Sequence, residues 1–501
     1  MFGDFDADGI TGLAIMTLAL RRLGMDAIPY VPSRLEEGHG LSLAAVETAQ
    51  KAGAALIVTV DTGSSSVAEV AAANAAGIDV IITDHHRVPA ELPRALAIVN
   101  PHRPDADYPE GRLAGSGVAF TVARLLIGDA ALAFADLAAI GTVADLAPVL
   151  GENRAIVRLG LEQLRADPRP GLAALLAVAG LAPADVDLES LAFAVAPRLN
   201  AAGRVGEAFD AARLLLADDP AEAANLAAVL EAANVTRRDL LRTAVAEARI
   251  SPDAVDDAPA TIVRGPWPVG IVGLVASRLA DERRRPAIVG AELGSIIRAS
   301  CRSSGELHLA DALAACSDLL IRHGGHAGAA GFEIRTEDWT AFRERFIALA
   351  GSVAEPDPVP SLPIDLAVHA RDVDYALHRD LLRLAPCGVG NPEPLVAILG
   401  LTVTRAREAD GGHTQLVLKR RLDVLDSIAF GWPELSREVA EGDVIDVVAR
   451  LQSRRFGGIE SLQLEIRDAA PSGLHAEARA MLEAAPVPVG PGPVVQAAPA
   501  S

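Results

Sequence analysis

Three aspartates at alternate positions, Asp4, Asp6 and Asp8, stand immediately before Gly9 and an apolar run from Thr11 to Leu20. No other spacing constrains this chain as much. Carboxylates held that close repel one another and are stable together when cations sit between them. Read as a strand, the segment puts all three acids on one face, and Gly9 then turns the backbone into a helix over the apolar run. The acids would stand at the carboxyl end of a strand, where open α/β sheets place their ligands. Taken alone, the same residues also suit a solvated acidic turn.

Similar endings recur downstream. Residues 54–60 read as a buried strand ending at Asp61-Thr62-Gly63-Ser64, residues 67–76 as a helix, and residues 78–83 as a second buried strand ending at Asp84-His85-His86. That alternation predicts a parallel sheet. A further polar ending is a candidate at Asp145, in residues 140–146 after a helical run over 130–139, although Asp145 taken by itself reads better as a cap or turn residue. Asp6, Asp8, Asp61, His85 and Asp145 together form an oxygen-rich set with one imidazole, which suits manganese or magnesium more than zinc. The three cysteines, Cys301, Cys316 and Cys387, are too scattered for a zinc knuckle and too few for a disulfide framework.

A length of 501 residues allows two to four domains. No basic-then-apolar leader opens the chain and no uncharged apolar run of about 20 residues suggests a membrane span, so a cytoplasmic protein with no membrane partner is expected. The net charge of −21 argues against nonspecific binding to nucleic acid, but handling a polyanion needs only a local positive channel. Lys51 and Lys419 are the only lysines, so the positive charge is almost all arginine. Arginine is the better fork for phosphate oxygens, and a genomic habit explains the same bias.

From Asp219-Pro220 to Ile250 the chain reads as one long helix, capped by Asp219, with Leu226, Leu230, Ala233, Leu241 and Ala244 on one face. Residues 259–350 read as a second α/β unit. It contains Ser300 and Arg302 and the small-residue run from Gly324, Gly325 and His326 to Gly331, expected to be a loop whose amides can approach a phosphate closely, or only a tight turn. Over 355–470 five short alternating runs (401–403, 414–418, 427–430, 444–448 and 462–466) predict a small antiparallel barrel of the OB type. Arg405, Arg407, Lys419, Arg420, Arg421, Arg454 and Arg455 would line a groove along a nucleic-acid backbone, or be solvated rim charges. The proline-rich end, 471–501, is expected to be a disordered tail.

Gly3-Asp4-Phe5-Asp6-Ala7-Asp8-Gly9, Val60-Asp61-Thr62-Gly63, Asp84-His85-His86 and Gly141-Thr142-Val143-Ala144-Asp145 occur in the order of the four motifs of the DHH phosphoesterases. The chain resembles the single-strand-specific exonuclease branch of that superfamily from residue 2 to about 470, the phrases Pro32 to Leu41 and Pro197 to Arg204 included. The resemblance implies an α/β fold class: a parallel-sheet DHH domain (1–218), a connecting helix (219–255), a smaller α/β DHH-associated domain (256–350) and an OB-type β-barrel (355–470). It implies a 5′ to 3′ exonuclease on single-stranded DNA that uses two manganese or magnesium ions, releases 5′-mononucleotides and acts in repair and recombination. It is expected to be a monomer working beside a helicase or a single-strand-binding protein.

Carried over from the motif positions, Asp61 bridges the metals, Asp6 holds one, and Asp8, His85 and Asp145 hold the other. His86 touches the substrate phosphate and Asp84 orients the histidines. Arg34, Ser300 and Arg302 hold the terminal 5′ phosphate, Arg204 contacts the strand, and His39, Gly324, Gly325 and His326 are further substrate contacts. The chain departs from the pattern at Phe2, where some members carry a metal-binding histidine, at His39, where tyrosine is common, and at Pro268, where histidine is common. It also starts without the N-terminal segment usual in the branch. Two other readings fit the motifs: a shorter DHH enzyme acting on oligoribonucleotides or a nucleotide bisphosphate, and a non-catalytic single-strand-binding relative.

Overall fold

Four short strands form the first sheet of the computed structural model: β1 (Phe2–Gly3), β2 (Leu56–Val60), β3 (Asp79–Thr83) and β4 (Ala97–Val99), in that order and all parallel. The sheet is covered on both faces, which is why β2 and β3 read as nearly continuous apolar runs. On one side Ile10, Leu13 and Ile15 of the helix Ala7–Arg22 pack with Val58 and Val60 and with the helices Gly115–Ile127 and Ala135–Ala144. On the other, Val46 and Val70 of the helices Leu43–Lys51 and Val67–Ala75 pack on Ile57, Val80 and Ile82. The structure describes residues 1–481 except 35–36, 256, 304–306, 354–361, 421–422, 457–458 and 474–479. These fall into two compact units, 1–358 and 359–501.

The acids do not share a strand face. β1 stops at Gly3, and Asp6 is the N-cap of the helix Ala7–Arg22, its carboxylate accepting from the amides of Asp8 (3.1 Å) and Gly9 (3.0 Å). Asp8 lies in the first turn, and Gly9 is inside the helix against the backbone of Asp4 rather than at a turn. Unpaired amides at a helix start reward an aspartate cap and an acid in the first turn, and that local gain overrides the period-two reading. Asp145 is likewise not at a strand end. It caps the carboxyl terminus of Ala135–Ala144, a helix whose residues from Ala135 to Val143 are all buried, so packing decides against the β-branched Thr142 and Val143.

Residues from Gly115 to Ala144 are long and apolar enough, by length and composition, to cross a membrane. They are divided into two helices by a 3-10 turn over Gly128–Phe134, and the two pack against each other and into the core of this unit.

The helix Pro220–Arg249 has 30 residues, with Asp219 accepting from Ala221 and Glu222 amides at its start. Its first half buries Ala223, Leu226 and Leu230 in the core of the first lobe, and its last turns bury Ala244, Val245 and Ala248 in that of the second. At 1.5 Å per residue it runs about 45 Å. The second lobe is a sheet ordered β5-β6-β7-β9-β8, from Thr261–Gly265, Ala287–Leu293, Ile296–Arg302, Leu320–Gly325 (β8) and Ala329–Arg335 (β9). Gly324 and Gly325 are therefore in an exposed edge strand, and only His326 begins the turn. Small residues allow close strand pairing as readily as a loop, and Gly331 and Ala330 lie opposite them.

In the unit from 359, β11 (Val396–Ala409), β12 (His413–Arg420), β13 (Asp423–Ala429), β14 (Val444–Phe456) and β15 (Ile459–Pro471) close into a barrel. β14 pairs with both β15 and β11, and β10 (Leu366–His369) adds in parallel to β11. Every second residue of β12, from Thr414 to Leu418, is buried, and Leu416 and Leu418 join Val396, Ile398 and Leu464 inside. Arg405, Arg407, Lys419 and Arg454 are exposed and Arg420 is half-buried. Arg421, the side chain of Arg455 and most of the tail from 471 lie outside the described residues.

One backbone feature beside Asp145 is open to test. Leu146 has φ +58, and its amide donates to Val143 O while that of Ala147 donates to Thr142 O, a helix ending that normally takes glycine. The leucine is 67% exposed, so burial does not offset the strain. Leu146→Gly should raise stability by about 0.5–1 kcal/mol, read as a higher urea midpoint; a lower midpoint contradicts this account.

Candidate metal centre and strand-end pocket

Three overlapping groups of ligand atoms lie where the first sheet ends: Asp4, Asp6 and Asp61; Asp8, His85 and Asp145; and Asp61, His85 and His86, the atoms of each within 4.8 Å of one another. His85 Nε2 is 3.0 Å from Asp61 Oδ1 and 3.9 Å from Asp8 Oδ2, and its Nδ1 is 3.8 Å from Asp145 Oδ2. The structure thus brings together all five residues expected to hold metal. It adds Asp4, which the sequence reading left out of the ligand set. Asp61 Oδ1 and His85 Nε2 are both buried without a hydrogen-bond partner. Buried lone pairs left unmet cost about 1–3 kcal/mol each, and a divalent cation between them would satisfy both. Oxygen donors with one imidazole fit manganese or magnesium.

Local geometry explains the convergence. Asp61 ends β2 in a left-handed conformation, φ +62. A Cβ on Gly115 would stand 2.5 Å from Asp61 Oδ1, so only glycine lets that carboxylate in. Asp8 accepts from the Gly115 amide (2.6 Å) and the Ser116 amide (2.9 Å), at the start of the helix Gly115–Ile127, whose positive end favours an anion. Asn200, from the Pro197 to Arg204 phrase, accepts from the amide of Ala7 and fixes the turn that carries these acids.

Asp84 is saturated by protein donors. Its Oδ1 takes the amides of His85 and His86 and His86 Nδ1 (2.8 Å), and its Oδ2 takes the Ser64 amide. It holds the His86 ring and the backbone of both histidines and has little left for a cation. Burial works to raise its carboxyl, but the bonds from His86 and Ser64 outweigh that and hold it well below the usual range. In return the Asp84 bond, against burial, lifts His86 to about 9, so its half-exposed ring is an imidazolium at neutral pH. Burial pushes His85 down, and a neutral ring is the ligand form.

The other acids shift upward. Burial first, then Asp4 and Asp8, raise Asp6 to about 6; burial, Asp8 and Asp6 raise Asp145 to about 8; burial and the neighbouring acids hold Asp61 well above its ordinary value.

A second cluster is cationic and drawn from both lobes. Arg204 donates to Gly270 O (3.0 Å) across the lobes, and Ser300 Oγ and Arg302 Nη2 would each lie 3.3 Å from a Cβ on Gly273 of the helix Val269–Arg283. Burial, then Arg34, Arg237 and Arg302, lower Arg204 to about 9. Arg237, on the long helix, reads from the sequence only as added charge beside Arg238 and Arg242, not as a site residue; its Nε is buried without a hydrogen-bond partner. Hydrogen bonds from Arg204, Arg237 and Arg302 go to Gly270 O, Asn234 Oδ1 and Cys301 O rather than to carboxylates.

His39 pairs through Nδ1 with Asp4 Oδ2 (3.0 Å) and is largely exposed. Gly324, Gly325 and His326 sit at the exposed end of β8, and no described contact joins them to either cluster. Phe2 is buried and stacked on Tyr30, and the additional carboxylate beside Asp6 and Asp61 is that of Asp4. Pro268 is the N-cap of the helix Val269–Arg283.

Residues 1–142 match the DHH family, N-terminal domain, 258–352 the DHHA1 domain and 364–468 the RecJ OB domain. The chain is 36% identical to the single-stranded-DNA-specific exonuclease RecJ of Bacillus subtilis (strain 168) over 94% of its own length and 61% of that protein, so it spans under two thirds of that relative. It is 37% identical to the protein of that name from Salmonella typhimurium (strain LT2), covering 94% of this chain and 86% of that one. The crystal structure of RecJ in complex with Mn2+ from Thermus thermophilus superposes with a TM-score of 0.80 at 33% identity, over 94% of this chain and 68% of that one. The same protein has been crystallised with Mg2+.

Two tests follow from this geometry. A carboxyl whose folded pKa lies above its unfolded value stabilises the fold below the unfolded value, near 4, and that stability is lost as pH rises through the folded one, about 6 for Asp6 and about 8 for Asp145. A bound cation holds the same groups ionised. The gap in melting temperature between manganese-loaded and EDTA-treated protein should therefore widen from pH 5 to pH 8; a constant gap contradicts the assignment. Gly115→Ala should weaken manganese binding by about 10–100-fold, measured by calorimetry, by displacing Asp61; unchanged affinity contradicts the close approach.

Proposed function

The chain belongs to the RecJ family of single-stranded-DNA-specific exonucleases, and on that premise we propose that it is a metal-dependent nuclease that digests single-stranded DNA from the 5′ end. It releases 5′-mononucleotides and serves repair and recombination. The observation that carries this reading is the chain of overlapping carboxylate and imidazole sets joined through Asp61 and His85, beside a guanidinium cluster built from two lobes.

Asp4, Asp6 and Asp61 would hold one divalent cation, and Asp61, Asp8, His85 and Asp145 the other. When bound, such a pair neutralises phosphoryl oxygens and lowers the pKa of the attacking water. Asp84 keeps His86 protonated and aimed, so His86 can donate to a phosphoryl oxygen and offset charge as the bond to the leaving 3′ oxygen breaks. Arg34, Ser300 and Arg302 would grip the terminal 5′ phosphate and Arg204 the strand behind it, because guanidinium forks both bind and orient phosphate. His39, Gly324, Gly325 and His326 remain proposed strand contacts. The division at about 218, 255 and 355 into DHH domain, connecting helix, DHH-associated domain and barrel is the organisation we propose for this work.

The barrel with its exposed arginines favours long strands over the dinucleotides taken by shorter DHH enzymes, and the complete acid set favours catalysis over a purely binding role. We place the protein in the cytoplasm, as a monomer alongside a helicase or a single-strand-binding protein. Asp61→Ala should reduce manganese-dependent digestion of end-labelled single strands by at least about 10³-fold while keeping the native circular dichroism spectrum. Retained turnover ends the assignment.

A further inference from the structure

Phe5 lies between Asp4 and Asp6 and is 1% exposed, yet its ring belongs to neither apolar core that flanks the first sheet. It faces polar groups instead. The Arg34 guanidinium carbon is 4.8 Å from the ring centroid, and the His39 ring lies 4.4 Å away, tilted by 51°. The Phe5 backbone is tied to the metal-binding segment: its amide donates to Asp4 Oδ1 (2.8 Å), and its carbonyl oxygen would be 3.0 Å from a Cβ on Gly203 of the helix Ala196–Val205. His39 returns to the same segment through its 3.0 Å pair with Asp4.

An arginine side chain is long and free to sample many rotamers, and a flat aromatic face removes that freedom while leaving the N–H edge open for phosphate. Burial lowers the pKa of Arg34, with Asp4 and Asp6 acting in the opposite direction and Arg302 in the same one.

We propose that Phe5 is a positioning residue for the strand end: its ring holds the Arg34 guanidinium at a fixed place relative to Asp4 and Asp6, so that one side chain sets where the terminal 5′ phosphate lies with respect to the metal centre. This rests on the reading that Arg34 grips that phosphate. Binding energy from the terminal phosphate then becomes alignment of the scissile bond.

The test uses the full-length protein with manganese and two single strands of one sequence, one ending in a 5′ phosphate and the other in a 5′ hydroxyl. The ratio of their kcat/KM values is the readout. Wild type should prefer the phosphorylated strand. Phe5→Leu, which keeps apolar bulk but no flat face, should cut that preference about 10-fold, chiefly through KM for the phosphorylated strand, and Phe5→Tyr should restore it. Arg34→Lys keeps the charge without the planar fork and should reproduce the Phe5→Leu ratio, which keeps the idea testable if the leucine variant folds poorly. Equal losses on both strands in Phe5→Leu, with the preference intact, would overturn the role of Phe5. A wild type indifferent to the phosphate would overturn the strand-end reading of Arg34 itself.

Discussion

Mutual repulsion among desolvated carboxylates is the constraint around which the first unit is built. Asp4, Asp6, Asp8, Asp61 and Asp145 meet at the end of one sheet, and at Asp6, Asp61 and Asp145 burial and the neighbouring acids both oppose ionisation. A fold can tolerate such a cluster in two ways: by keeping protons on it, or by offering it to cations. Here some members are partly compensated from the backbone. Asp8 is met by the amides of Gly115 and Ser116, and Asp6 caps the helix it begins. Asp61 Oδ1 and His85 Nε2 face each other at 3.0 Å, buried and with no hydrogen bond to meet either. The unmet pair marks where the protein depends on something it does not itself contain.

The arginine cluster is the counterpart of that arrangement. Arg34, Arg204, Arg237 and Arg302 crowd like charges on the cationic side as the aspartates do on the anionic side. Both are costly in isolation and both would be relieved by a phosphate chain with divalent ions, since each excess charge would meet its opposite. The long helix Pro220–Arg249 makes the pairing of lobes that this requires, anchored at each end in a different core.

Elements dominated by one local rule were legible in the sequence. β2 and β3 are apolar runs bounded by polar endings, Asp219-Pro220 announces the long helix, and the barrel strands alternate, although they run well beyond the segments read, β11 from Val396 to Ala409 rather than 401–403. Where local rules compete, reading by period failed. Asp4 to Asp8 alternate like a strand but cap a helix, Asp145 follows β-branched residues yet ends a helix, and Gly324-Gly325 reads as a loop but pairs with Ala330 and Gly331. The grouping of the site residues was foreseeable from the motifs. The contacts that hold them were not, because Asp8 finds Gly115 across 107 positions and Ala7 finds Asn200 across 193. Arg237 had no signal beyond its place among other arginines on an amphipathic helix.

The barrel's closure through β14 and β11 has a further consequence. With its main-chain amides and carbonyls spent on neighbours around the ring, the closed part of this unit offers a visiting polymer little ladder to extend, and the free edge among its described strands is that of β10. A nucleic acid held at the ring would be held by outward side chains such as Arg405, Arg407 and Lys419, and attraction of that kind is indifferent to base order, lets the guest slide, and fades as ionic strength rises.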